Sequence, residues 1–211
     1  MRWLLLALLG AAAFIYGHLI ESTLLCQLAK PWPVIALLGW LRNAAAGPYR
    51  RWISIGLVFS LAGDVLLEWS PEMFVFGLGA FLLGHLAYLV GYLGDSKRFA
   101  PLALLLALVA GGSMFATLYR AGLGGLLVPV ALYALTISAM LWRALARTSA
   151  SNISRRSAWL AALGAALFVL SDSLIGINRF VSPFPEARYL IILTYWLGQW
   201  GIAASAMYRN R

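Results

Sequence analysis

The chain consists almost entirely of apolar runs long enough to cross a bilayer, divided by short breaks that carry proline, glycine or charge. A helix of about 20 apolar residues matches the hydrocarbon core, and in lipid a helix satisfies every backbone polar group within one segment. The breaks predict eight helices, over 3–18, 31–46, 52–69, 73–94, 100–119, 124–145, 157–178 and 187–208. Hydrophobic residues make up 63% of the 211 and charged residues 11%, more apolar surface than a water-soluble domain of this size can bury. The expected fold is an all-α polytopic membrane bundle formed as a single domain over residues 1–211. Residues 1–17 also have the charged start and apolar middle of a signal peptide, but the charge pattern requires them as a span. Cys26 is the one cysteine, so neither an intrachain disulfide nor a cysteine-built metal cage is available.

The charges test this division. One set of chain ends and breaks holds Arg2, then Arg42, Arg50 and Arg51, then Lys97 and Arg98. It continues with Arg143, Arg147, Arg155 and Arg156 and ends with Arg209 and Arg211, which makes 12 of the 16 basic residues. The opposite set holds only Lys30, Arg120, Arg179 and Arg188. Positive residues favour the cytoplasmic side, so both termini are expected there. The net charge of +9 therefore reads as membrane topology rather than nucleic-acid binding, because the cations lie between apolar runs and not along one face.

Two aspartates interrupt the apolar runs: Asp64 in SIGLVFSLAGDVLLEW and Asp172 in AALGAALFVLSDSLIGI. Acids at membrane depth are expensive to hold and mark functional sites. Both belong to helices expected to run from inside to outside, one to two turns short of the outer end. Two close carboxylates do not easily ionise together, and such a pair can divide acid and base roles. Glu68 lies one turn beyond Asp64 on the same face, Asn178 six residues beyond Asp172, and Lys30 at the outer start of the second helix. His85, one of two histidines, sits mid-span with Tyr88 on its face. It serves either helix packing or the site. Lys30 snorkels to the headgroups or holds a lipid phosphate. Ser171, Tyr195 and Gln199 complete the polar set, as interhelical hydrogen-bonders or substrate contacts.

The stretch LVFSLAGDVLL…GAFLLGHLAY also aligns loosely with ALFVLSDSLIG…TYWLGQWGIA. An offset of four spans preserves orientation, so the chain could contain two parallel four-helix repeats, 1–98 and 99–211. A pseudo-twofold axis along the membrane normal would then bring the two aspartates face to face.

These residues resemble the YhhN-type lysoplasmalogenases. The likeness runs through Lys30-Pro31, Ala62-Gly63-Asp64 with Leu66 and Leu67, and Gly79-Ala80-Phe81…His85…Tyr88. It continues through Gly164…Leu170-Ser171-Asp172-Ser173 and the stretch from Tyr195 to Gln199, in order over nearly the whole chain. In members of that family a histidine can stand where this chain has Gln199, a departure that argues against a proton carrier there. The resemblance implies an eight-span bacterial inner-membrane hydrolase that cleaves the vinyl-ether bond of lysoplasmalogens and needs no metal or other cofactor. Asp64 and Asp172 would be the acid and its anionic partner, with His85 orienting one of them. Lys30, Glu68, Tyr88, Ser171, Asn178, Tyr195 and Gln199 would contact the lysophospholipid. Other classes remain compatible with the residues. Intramembrane acids also serve proton-coupled transporters, and an Asp/His mixture could hold the metal of a membrane lipid hydrolase. An intramembrane aspartyl protease fits less well, because Leu61 stands where its G-x-G-D motif needs glycine. A structural or lipid-scrambling protein would need no paired acids.

Overall fold

A computed structural model of the protein describes residues 2–209. Arg211, counted above among the cytoplasmic cations, lies outside the described residues. The helices are α1 (Arg2–Leu19), α2 (Thr23–Ala29), α3 (Trp32–Leu41), α4 (Pro48–Trp69), α5 (Phe74–Asp95), α6 (Pro101–Ala121), α7 (Leu127–Ala146), α8 (Arg155–Gly176) and α9 (Ala187–Met207). With α2 and α3 joined, eight helical segments among the described residues are long and apolar enough to cross a membrane, as the sequence predicts.

The second span differs from expectation. It covers Thr23–Leu41 and bends in the middle, where a start at Pro31 was predicted. Ser22 caps the earlier start by accepting a hydrogen bond from the Leu25 amide at 3.4 Å. Pro31 and Pro33 have no amide proton to return to the carbonyls of Gln27 and Ala29, so the regular helix is interrupted there. Lys30 therefore sits inside the span, at the bend, and not at its outer mouth. The fourth helix begins at Pro48, ahead of the expected residue 52, because proline suits a first turn and Arg50 and Arg51 can be carried on it.

Two helix pairs form the centre of the bundle, α4 with α5 and α8 with α9. Each pair closes on glycines. A Cβ added at Gly164 would stand 2.7 Å from the Gly198 carbonyl oxygen, and one at Gly84 would stand 3.2 Å from that of Gly56. Such close backbone approach supplies dispersion contact that lipid-exposed leucines cannot, because lipid tails pack against leucine equally well. Between the pairs lies a T-shaped aromatic cluster, with ring centroids 5.9 Å apart for Phe81 and Phe168 and 5.3 Å for Phe168 and Tyr195. By contrast α6 is peripheral and packs on α7 and on the π-helical turn Ile177–Val181 that follows α8. Leu102, Leu105, Leu108 and Val109 on α6 are more than half exposed, a surface suited to lipid rather than water.

At the end shared by the two termini, charge is taken inside the bundle. Arg147 is fully buried and donates to Asp95 Oδ2 at 2.7 Å and Ser157 Oγ at 3.1 Å, with its guanidinium 4.5 Å from the centre of the Tyr49 ring. Arg209 donates to the other oxygen, Asp95 Oδ1, at 2.7 Å. Two residues expected only as loop charges thus tie the ends of α5, α7 and α9 to one carboxylate. Replacing Asp95 by alanine strands the Arg147 charge, a change that costs about 3–5 kcal/mol when one partner of a buried pair is removed. The expected result is a clear fall in Tm for the detergent-purified variant. Gly112→Ala, where the added methyl meets open space, leaves the Tm where it was.

Candidate active site

Asp64 and Asp172 line one cavity of about 210 Å³ between α4, α8 and α9. Lys30, Glu68, Ser171, Asn178, Arg188 and Tyr195 share its wall with Phe14, Leu67, Phe81, Ile175, Ile191 and Ile192. The helical spacing of Asp64 and Glu68 accounts for their common face. Gly63 lets α5 approach beside the acid, because a Cβ there would come within 2.6 Å of the Phe81 ring.

The two carboxylates have different settings. Asp64 is almost fully buried and accepts one hydrogen bond, from the Tyr195 hydroxyl at 2.7 Å. Asp172 accepts from the Tyr133 hydroxyl at 2.5 Å, and His85 Nε2 lies 3.2 Å from the same oxygen, Oδ2. His85 Nε2 is also 2.9 Å from the Tyr133 oxygen. Tyrosine has one hydroxyl proton, and here it points at Asp172. Nε2 of His85 therefore faces two acceptors and carries the ring proton. Its other nitrogen, Nδ1, is buried without a partner, which suits a bare acceptor better than an unmatched donor. Asp172 is thus held by two donors on one oxygen, and neither aspartate has a protein partner for Oδ1 among the described residues.

The cavity lining also carries cations. Glu68 bridges Lys30, whose Nζ lies 3.2 Å from Oε2, and Arg188, which donates to Oε1. The guanidinium of Arg188 rests over the Phe14 ring, 5.1 Å from its centre, and its Nε is buried with no partner. The bend at Pro31 and the start of α9 thus bring two cations to the same carboxylate. Two other wall residues spend their polar atoms on the fold. Ser171 donates to the Ile191 carbonyl at 2.9 Å and joins α8 to α9, and Asn178 Oδ1 accepts from the Phe184 amide at 3.2 Å. A second, apolar pocket of about 60 Å³ adjoins the first and shares Leu67, Phe81, Asp172 and Ile175 with it.

Of the residues singled out from sequence, Asp64, Asp172, Lys30, Glu68, Ser171, Asn178 and Tyr195 therefore meet around one cavity, with His85 directly behind Asp172. Tyr88 and Gln199 stand apart from it: both are fully buried, and the Tyr88 hydroxyl donates to Gln199 Oε1 at 2.7 Å. Sequence reasoning did not single out Tyr133 or weigh Arg188 beyond its charge. A hydroxyl deep inside LVPVALYALTI was a usable signal for the first, since a buried tyrosine needs a polar partner. The signal for the second was a lone cation opening the last apolar run on the side poor in positive charge. Among the described residues no three histidine, cysteine, aspartate or glutamate side chains gather closely enough to hold a metal ion.

The arrangement sets one acid bound by a single donor and one bound by two on a cavity that also carries paired cations and adjoins an apolar pocket. The YhhN family model matches residues 25–206. The human protein "Lysoplasmalogenase TMEM86B" is 33% identical over 213 residues, covering 98% of this chain and 87% of its own length. Human "Lysoplasmalogenase TMEM86A" is 35% identical, over 85% of this chain and 77% of its own. A Mycobacterium tuberculosis protein named "Lysoplasmalogenase" is 36% identical over 64% of this chain and 52% of its own. No solved structure matches. A family match over most of the length, with relatives similar across nearly all of it, means that this eight-span chain belongs to the YhhN family.

Proposed function

We propose that this protein is a lysoplasmalogenase, a membrane hydrolase that cleaves the vinyl-ether bond of lysoplasmalogens to a fatty aldehyde and a glycerophospho-headgroup. The observation that carries the reading is the pair of aspartates on one cavity, in unequal hydrogen-bonding environments, between a cationic wall and an apolar pocket. The names of the relatives point to the same chemistry.

Hydrolysis of a vinyl ether begins when a proton is added to the alkenyl carbon one removed from the oxygen. The electron pair of the double bond forms the new C–H bond, and the adjacent carbon becomes an oxocarbenium ion. Water adds to that carbon and loses a proton. The resulting hemiacetal collapses as the C–O bond to glycerol breaks and a proton moves to the departing oxygen. The reaction needs a proton donor, an anion that stabilises the cation, and a base for the water. We assign donation to Asp64, which has one hydrogen-bond donor to share, and stabilisation and base catalysis to Asp172, which has two. Tyr133 and His85 hold Asp172 in position and leave its Oδ1 for the water. The aromatic floor of Phe81, Phe168 and Tyr195 keeps bulk water from the oxocarbenium ion.

The cations give the substrate its orientation. Lys30 and Arg188 would receive the phosphate, with Glu68 dividing its hold between them. Glu68, Ser171 and Asn178 border the glycerol portion, while Tyr88 and Gln199 act through the packing beneath the site. We further place both termini on the cytoplasmic side and the cavity in the outer half, on the strength of the charge asymmetry, and assign the protein to a bacterial inner membrane from the family resemblance. We read residues 1–98 and 99–211 as two copies of one unit. Gly56 and Gly164, the close-approach glycines of the two central helix pairs, each stand eight residues before an aspartate.

Asparagine at either position 64 or 172 keeps the shape but removes the ionisable group. Each single variant is expected to lose turnover by about 10²–10⁴-fold while keeping its Tm. Normal aldehyde release by both, measured on purified protein, would refute the assignment. In D2O the trapped aldehyde should carry one deuterium at the carbon next to the carbonyl. An aldehyde without it means that carbon protonation is not the route.

Lys30→Met and Arg188→Gln should raise KM about tenfold and leave kcat nearly unchanged, the pattern of lost uniform binding. Tyr133→Phe should instead lower kcat by about 10–100-fold, because a hydrogen bond to a charged group contributes about 1.5–3 kcal/mol. A purely structural Tyr133 would lower Tm without changing kcat of the folded fraction.

A further inference from the structure

The apolar pocket that adjoins the acid site lies along a seam in the packing. Leu67, Phe81 and Tyr133 on its inner side belong to or pack on the main core. Leu118 and Val130 on its outer side form a separate small cluster with Leu123, against which Phe180 packs. Leu118 lies on α6, the least embedded helix, which is held by α7 and the π turn Ile177–Val181. Gly176 keeps the seam open: a Cβ there would stand 3.1 Å from a methyl carbon of Leu118. The volume of about 60 Å³ is far less than a long hydrocarbon chain needs, so the pocket works as a passage rather than a container.

We infer that this seam is a lateral slot through which the single alkenyl chain of the lysolipid runs from the vinyl-ether carbons at Asp172 out into the bilayer, with Leu118, Val130 and Phe180 as its outer lip. The inference rests on the lysoplasmalogenase reading and adds the route of the chain to it. Its warrant is continuity and chemistry. Asp172, Leu67, Phe81 and Ile175 are common to the cavity and the slot, so the reactive bond lies at their junction. Past Asp172 and the Tyr133 hydroxyl the slot offers only hydrocarbon and aromatic faces, which suit a chain and reject a charged headgroup. Lys30 and Arg188 line the cavity and not the slot, so a phosphate belongs at the cavity end and the chain at the other. The aldehyde then needs no aqueous exit, because its chain is already among lipid.

Two measurements decide this. In the first, Gly176→Leu and Val130→Phe narrow the slot, and kcat/KM is compared for lysoplasmalogens with hexadecenyl and butenyl chains. The long-to-short ratio is expected to fall about tenfold against the unaltered protein, since apolar fit discriminates on that scale. An unchanged ratio in an active variant overturns the slot. The second uses the unaltered protein in vesicles with a saturated 1-O-alkyl lysophospholipid, which cannot be hydrolysed, bearing a diazirine on the chain several carbons beyond the ether oxygen. Photo-crosslinks on Leu118, Val130 or Phe180 are expected, and crosslinks confined to Phe14 and Ile192 overturn the proposal. The crosslinking map needs no turnover. An unaltered protein that cleaves neither substrate defeats the lysoplasmalogenase reading, while the map still decides where the chain lies.

Discussion

The hydrogen bond from a tyrosine to each intramembrane aspartate is the interaction on which the arrangement of the acid site depends. In lipid there is no water to take over an unmatched carboxylate, so an acid inside the bundle must find its donors on neighbouring helices. Tyr195 of α9 supplies one to Asp64 of α4, and Tyr133 of α7 supplies one to Asp172 of α8. Each bond reaches across a helix boundary and fixes the position of one helix against another. The same bonds leave one oxygen of each acid free of protein partners among the described residues, which is the condition for chemistry.

The glycine contacts close the helix pairs that carry those acids. With side chains at Gly164 and Gly198 the pair α8–α9 would stand farther apart, and with one at Gly63 the Phe81 ring could not lie beside Asp64. The aromatic cluster between the helix pairs then fills the space beneath the acids without offering a competing polar group. The site therefore sets its polar groups among apolar walls over an aromatic floor. That combination strengthens electrostatic interactions relative to an open, water-filled cleft.

The helices were legible in the sequence because lipid imposes a length and a composition that no tertiary contact can override. The aspartates were legible for the same reason in reverse, as exceptions to that composition. The bend at Pro31 was misread because Lys-Pro is equally a helix start and a helix interruption, and only the Ser22 cap upstream separates the two. Tyr133 was overlooked because tyrosine is common near membrane interfaces, so its place in mid-run drew no attention. Arg147 looked like one more loop cation, since neither its burial nor its bond to Asp95 leaves a mark in local sequence. Which polar residues face one another is set by the crossing of helices distant in the chain. The likeness between the two halves only hints at that crossing.

The ionic cluster around Asp95 gives the bundle a direction of compliance. It clamps α5, α7 and α9 at the end where the termini lie, whereas the opposite end is closed by short turns, the bent second span and the loosely seated α6. Any widening about that clamped end must stretch the bonds that cross the cavity, from Tyr195 to Asp64 and from Lys30 and Arg188 to Glu68. Opening the site and releasing its acids are therefore one movement.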